Sequence, residues 1–166
     1  RVKKQINFIA NLRIAAALLF LVSCYITLSY SLVSIIAVAL LIAFIALVVR
    51  HSFLFDQKIH LENLVKINHL EEQAVRAKIS GFASGAEFID PHHPYSHDLD
   101  IFGDGSLFQA INRCNTIHGK LLMSQRLGYP LSSADQVYQY QESTRELSSK
   151  TDFRQHFQAS GMAIDE

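Results

Sequence analysis

The longest feature of the hydrophobic pattern is a run of 36 residues, 14–49, that contains no charged side chain. As one straight helix it would be roughly 54 Å long, whereas the hydrocarbon core of a bilayer is about 30 Å thick. Two spans of about 17 residues each fit that thickness better, with a turn near Ser29, Tyr30 and Ser31. A signal-peptide core of about 7–15 residues is too short to explain the run. The pattern therefore predicts a two-span transmembrane hairpin within residues 1–50.

Positive charge flanks this run on both sides. The flanking cations are Arg1, Lys3, Lys4 and Arg13 before it, and Arg50 and Lys58 after it. Because positive flanks remain in the cytoplasm, both ends of the hairpin are predicted to be cytoplasmic. The few polar residues inside the spans are Ser23, Thr27 and Ser34, whose hydroxyls can bond to their own helix backbone. We therefore expect a multi-pass anchor in the inner membrane rather than a channel.

Beyond Arg50 the pattern becomes that of an amphipathic helix, and no Gly or Pro occurs from residue 50 to residue 80. A one-sided stripe is formed by Leu61, Leu64, Asn68, Val75 and Ile79. We expect a juxtamembrane helix within 51–80, ended by Gly81. It packs against the rest of the chain or against a copy of itself, and the first is favoured because the heptad fades after one or two repeats.

Residues 81–98 contain two glycines, two prolines and three histidines, a composition typical of a linker loop. The histidines, His92, His93 and His97, lie close to Asp98 and Asp100 and suggest a metal site. Adjacent histidines in a Pro-rich loop lack the fixed spacing that metal sites use, however. We favour a solvated linker without a metal.

Capping boxes predict where helices begin in residues 99–166. Ser106 and Gln109 follow the Asp104-Gly105 turn and should start a helix over 107–127. Ser133 and Gln136 should start a second helix, 134–149, and Thr151 or Asp152 a third. Residues predicted to face inward are Leu107, Phe108, Ile111, Cys114, Leu121, Leu122, Gln125, Val137, Tyr140, Thr144, Leu147, Phe153 and Phe157, with His118 at the core edge. No strand pattern occurs, so the predicted fold class is all-α.

An ordered set of residues within 98–158 resembles the core, or lever, domain of MutS-family proteins, the DNA mismatch-repair ATPases and their relatives. The set is Leu99-Asp100-Ile101-Phe102-Gly103, Gly105-Ser106-Leu107-Phe108, Asn112-Arg113, Thr116, Gly119-Lys120-Leu121-Leu122, Pro130-Leu131, Val137, Gln141, Glu146-Leu147 and Arg154. The sequence departs from the family where Cys114 replaces a usual Thr and Tyr140 a usual Arg. The resemblance implies an incomplete helical core over 99–166 that relays nucleotide state.

The chemistry of the MutS family is not encoded in these residues. Gly103-Asp104-Gly105 lacks the lysine and the preceding strand of a phosphate-binding loop, and no catalytic, cofactor-binding or metal-binding residue is predicted. The chain begins with Arg1 and ends on Glu166 without a stop signal, which indicates a piece of a longer protein. The resemblance places an ATPase domain, with ATP and Mg²⁺, and a DNA clamp in downstream domains of that parent protein.

Charge argues against DNA binding by this piece itself. From His51 onward, ten Lys and Arg face fifteen Asp and Glu, whereas DNA-binding surfaces need clustered positive charge. The partners predicted are the lipid bilayer and the downstream domains, with DNA reached only through those domains. The alternative is a non-enzymatic membrane scaffold or sensor whose helical domain binds a protein partner.

Overall fold

The computed structural model describes residues 2–27 and 33–164 and is all-helical, with no strand in those two ranges. The helices are α1 (Val2–Thr27), α2 (Val33–Val75), α3 (Leu107–Ile111), α4 (Ile117–Gly128), α5 (Ala134–Ser148) and α6 (Thr151–Gly161), with a 3₁₀ turn at Ala86–Phe88. The predicted all-α fold class is confirmed. The chain divides into two compact units, Arg1–Leu61 and Glu62–Glu166, and the boundary between them falls within α2.

Two helices are long and apolar enough to cross a membrane, Val2–Ile26 in the first unit and Ile35–Val75, which begins in the first unit and ends in the second. Only 11% of the apolar window of the first and 6% of that of the second is buried. The core helix of a soluble protein would instead bury most of its apolar surface. The predicted turn near Ser29 to Ser31 lies outside the described residues.

The second span and the predicted juxtamembrane helix are one continuous helix, because α2 runs without a break from Val33 to Val75. Helix α2 ends at Val75, earlier than the predicted end at residue 80, and a residue in the left-handed conformation follows it. Ala77 has φ +58°, and the Lys78 N–H donates to the Gln73 carbonyl at 3.0 Å, as in a Schellman cap. Such caps usually use glycine, so the sequence pointed to Gly81 instead.

In the second unit, α2 packs against its own chain. Ile67 is 2% exposed, and Asn63 Nδ2 donates to the Ala159 carbonyl of α6 at 3.2 Å. On the same helix, Asn68 Oδ1 accepts from Gln155 Nε2 at 3.0 Å. The helix thus packs within one chain, but the predicted stripe is wrong in its residues, because Leu61, Asn68 and Val75 are exposed and Ile67 is the buried one.

The prediction of one helix over 107–127 is wrong, because the helix is interrupted between α3 and α4. Asn112 is extended, with φ −66° and ψ 118°, and its Oδ1 accepts the Cys114 N–H at 2.9 Å. Thr116 then starts α4 by accepting the Gly119 N–H at 3.2 Å. Local side-chain bonds of this kind compete with helix continuation.

The break also rotates the buried face of α4 away from the predicted one. Ser124 and Gly128 are the buried residues of this helix. Residues predicted inward that lie exposed are His118, Leu121, Leu122 and Gln125 on α4, and Leu107 and Ile111 on α3. Phe108 was predicted correctly and is fully buried.

Helices α5 and α6 lie where they were predicted, but their apolar faces are not covered. The predicted caps are wrong, because Ser133 makes no side-chain cap bond at the start of α5 and the N-cap of α6 is Lys150 rather than Thr151 or Asp152. The residues predicted inward are all exposed: Val137, Tyr140, Thr144, Leu147, Phe153 and Phe157. Of these, Phe153 and Phe157 stack on each other with ring centroids 5.9 Å apart. Amphipathicity was predicted correctly here, but no element in the described ranges covers those faces.

Candidate functional site

The first turn of α3 is held by the predicted capping box in a modified form. Ser106 Oγ accepts the Gln109 N–H at 3.2 Å, as expected. The Gln109 side chain reaches back one residue further than predicted, and its Oε1 accepts the Gly105 N–H at 2.8 Å. Ser106 and Gln109 are both buried, so the cap lies inside the second unit rather than on its surface.

The same face of α3 binds three consecutive backbone carbonyls of the preceding loop. Gln109 Nε2 donates to Phe82 O at 2.9 Å, and Asn112 Nδ2 donates to Ala83 O at 3.2 Å. Ser84 O accepts from Ser106 Oγ at 3.4 Å and from the Gly103 N–H at 2.9 Å. We call this arrangement the α3 junction: loop 82–84 with Ser106, Gln109 and Asn112. The start of the predicted linker is thus docked rather than solvated.

An aromatic cluster lies beside the α3 junction. Phe108 packs against Phe88 at 5.6 Å and Phe102 at 5.7 Å between ring centroids, geometries typical of favourable aromatic pairs. Gly85 has φ +69°, and a Cβ at that position would lie 2.7 Å from the Phe108 ring. Only glycine fits this approach without strain.

Arg113 joins α2 to the α3 junction. Its Nε and Nη2 bond to the two carboxylate oxygens of Glu71 at 2.5 and 3.1 Å, a bidentate pair that fixes orientation as well as distance. The guanidinium carbon lies 3.9 Å from the centroid of the Phe82 ring. Arg113 also donates to the carbonyls of Ala110 and Asn112. Sequence reasoning missed Glu71, because nothing local indicates a partner 42 residues away.

The histidine loop, residues 91–98, is bonded to the end of α4. His93 Nδ1 accepts the Ser96 N–H at 3.1 Å, and His93 Nε2 donates to the Gly128 carbonyl at 3.0 Å. We assign this tautomer from those partners. Tyr95 Oη also donates to the Gly128 carbonyl, and His92 is exposed. Within ranges 2–27 and 33–164, no three His, Cys, Asp or Glu side chains form a group that could hold a metal ion.

Cys114 is the half-buried thiol of the second unit. Burial raises its pKa above the ordinary value of 9.0, while nearby Lys120 opposes the shift. Its Sγ lies 3.9 Å from Met123 Sδ. A raised pKa disfavours the nucleophilic thiolate form at neutral pH.

A shallow groove runs along α5. It is lined by Leu131, Val137, Tyr140, Gln141, Thr144, Arg145 and Ser148. Arg126 of α4 reaches its edge, where Nη2 donates to Tyr140 Oη at 2.7 Å. Tyrosine and arginine beside aliphatic residues are typical of protein-binding surfaces.

Taken together, the polar side chains of the α3 junction all bond to backbone groups, so they organise the second unit. Comparisons with protein-family models, curated proteins and solved structures found no match. The resemblance to the MutS core therefore rests on the residues quoted above.

Proposed function

We propose that this chain is the membrane anchor and first core segment of a larger MutS-like protein. The observation that carries the anchor is the pair of long apolar helices, α1 and α2, whose apolar windows are almost entirely exposed. Apolar surface of that extent needs lipid around it. In this proposal both flanks are cytoplasmic, and the second unit lies in the cytosol.

The α3 junction supports the lever part of the proposal. Three residues that carry the resemblance, Ser106, Asn112 and Arg113, are also residues that bind loop 82–84 or Glu71. A lever must transmit force without yielding, and a buried network with its hydrogen bonds satisfied is rigid. In the parent protein, ATP and Mg²⁺ would bind downstream domains, and DNA would be reached only through them.

A second candidate is a non-enzymatic membrane scaffold or sensor. The observation that favours it is the exposed apolar face of α5 and α6, including Val137, Tyr140, Phe153 and Phe157. The reading frame beyond Glu166 discriminates between the two. A phosphate-binding loop followed by Mg²⁺-dependent ATP hydrolysis by the whole protein supports the MutS-like proposal, and a frame without that loop supports the scaffold.

Topology is the test of the anchor. Single cysteines replace Lys4, Tyr30 and Ser52 in a full chain carrying Cys24→Ser and Cys114→Ser, and a membrane-impermeant maleimide is added to inverted and right-side-out inner-membrane vesicles. We expect positions 4 and 52 to react only from the cytoplasmic face and position 30 only from the other face. Labelling of positions 4 and 52 from opposite faces would eliminate the hairpin.

A further inference from the structure

The two units differ sharply in charge. By sequence, Arg1–Leu61 contains six cations and one carboxylate, Asp56, while Glu62–Glu166 contains nine cations and fourteen carboxylates. The cations of the first unit lie outside the charge-free run 14–49 rather than within it. The first unit therefore has a net charge of +5 and the second a net charge of −5.

The cations that follow this run on α2 are paired with aromatic rings. The Arg50 guanidinium carbon lies 5.9 Å from the centroid of the Phe53 ring, and Lys58 Nζ lies 5.4 Å from that of Phe55. The two rings are 51% and 45% exposed. We call these four residues the Arg50–Lys58 belt.

This combination is suited to a membrane surface. Phenylalanine rings next to the apolar run can remain in the hydrocarbon, while the long stems of Arg50 and Lys58 carry their charges outward to the headgroups. The cation–π contacts hold each charge near its ring. Arginine also binds phosphate oxygens in bidentate fashion.

We propose that the Arg50–Lys58 belt binds the phosphate headgroups of anionic phospholipids. The proposal rests on the anchor function above and names the lipid class that the anchor selects. Lipid is favoured over a protein occupant because the belt directly follows the charge-free run and its cations complement an anionic surface. Each cation near such a surface strengthens binding by about fivefold.

The test measures which lipid the full chain retains. The chain is purified in detergent with equimolar phosphatidylcholine and phosphatidylglycerol, and the co-purifying lipids are quantified by mass spectrometry. We expect enrichment of phosphatidylglycerol, a decrease of about fivefold per cation in R50Q/K58Q, and full retention in R50K/K58R. Raising the salt concentration should weaken the wild-type enrichment, because exposed charges are screened.

The matched control is K66Q/K78Q, which removes two exposed cations from the second unit and should leave the lipid ratio unchanged. An equal decrease in this control, an unchanged ratio in R50Q/K58Q, or an enrichment insensitive to salt would each overturn the proposal. Displacement of the lipid by inorganic phosphate would also overturn it, by identifying a general anion site. Carbonate extraction separates the two proposals: a chain released from membranes contradicts the anchor itself, whereas an embedded chain without lipid preference contradicts only the belt.

Discussion

Gln109 is the residue on which the docking of loop 82–84 depends most. Its amide bonds Phe82 O and the Gly105 N–H at the same time, and its own N–H is held by Ser106. Gln109→Ala leaves the first two groups without their partner, and an unsatisfied buried polar group costs about 1–3 kcal/mol. Because Gly105 is exposed and its N–H can bond to water, we expect a total loss of about 1–3 kcal/mol.

Amide hydrogen exchange of the full chain in detergent measures this loss as faster exchange across residues 82–113. Gln139→Ala, on the exposed surface of α5, is the matched control and should not change protection there. If both variants exchange alike, the Gln109 amide has no special structural role.

Gly85 and Gly105 have similar backbone conformations but different surroundings. Comparing an alanine substitution at each position therefore distinguishes backbone strain from steric clash. Gly85 and Gly105 have φ +69° and +75°, but a Cβ meets the Phe108 ring at Gly85 and nothing within 4 Å at Gly105. We expect Gly105→Ala to cost about 1–2 kcal/mol, from the left-handed conformation alone. Gly85→Ala should cost about 1–3 kcal/mol more, because the Phe108 ring must shift.

Thermal denaturation of the two variants, followed by circular dichroism of the full chain in detergent, gives the comparison. Equal losses in the two variants would mean that the ring has room to move, contrary to the packing described.

At the scale of elements, the end of α4 depends on side chains from the histidine loop. Tyr95 Oη donates to Gly128 O and, at 3.4 Å, to Leu127 O, and both carbonyls belong to the last turn of α4, where the helix supplies no partner. Tyr95→Phe should cost about 1 kcal/mol, the net value of a typical hydrogen bond. The loss should be measurable as faster hydrogen exchange of the Tyr129 N–H, which donates to Gln125 O.

The control for this prediction is Tyr138→Phe on the exposed face of α5, which should not change the exchange of Tyr129. An unaltered Tyr129 exchange in Tyr95→Phe would contradict the role assigned to the Tyr95 hydroxyl.

The sequence predicted the helices more accurately than it predicted which residues contact one another. The all-α class, α5 and α6 followed from periodicity, and the start of α3 followed from its capping residues, which are local signals. The break at Asn112 was missed because Asn112 and Thr116 satisfy the backbone locally, and neither residue alone excludes a helix. The docking of loop 82–84 was missed because backbone carbonyls have no sequence signature. The three-residue spacing of Ser106, Gln109 and Asn112 is the sequence signal that could have indicated a polar face.

The faces of α5 and α6 show a different limit of prediction. Amphipathicity correctly identifies which side of a helix is apolar, but burial also requires an element to cover that side. For Val137, Tyr140, Phe153 and Phe157, no such element exists in the part of the chain that the structure describes. The scaffold candidate proposes that a protein partner covers these exposed apolar faces.

At the scale of the whole molecule, the opposite net charges of the two units predict whether the chain binds DNA. The second unit contains nine cations against fourteen carboxylates, and Arg113, Arg76 and Lys150 are each paired with a glutamate. Nonspecific DNA binding needs unpaired cations that displace counterions from phosphates. The cations of the first unit, in the proposed topology, face lipid headgroups instead.

We therefore expect the full chain in neutral-lipid nanodiscs to show no submicromolar affinity for duplex DNA in a filter-binding assay at physiological salt. A mismatch in the duplex should make no difference, because recognition of bases requires side chains aimed into a groove. Empty nanodiscs provide the background, and R50Q/K58Q tests whether residual retention arises from the Arg50–Lys58 belt. Tight, salt-sensitive binding that survives R50Q/K58Q would contradict this expectation, because the Arg50–Lys58 belt could then not be the source of the affinity.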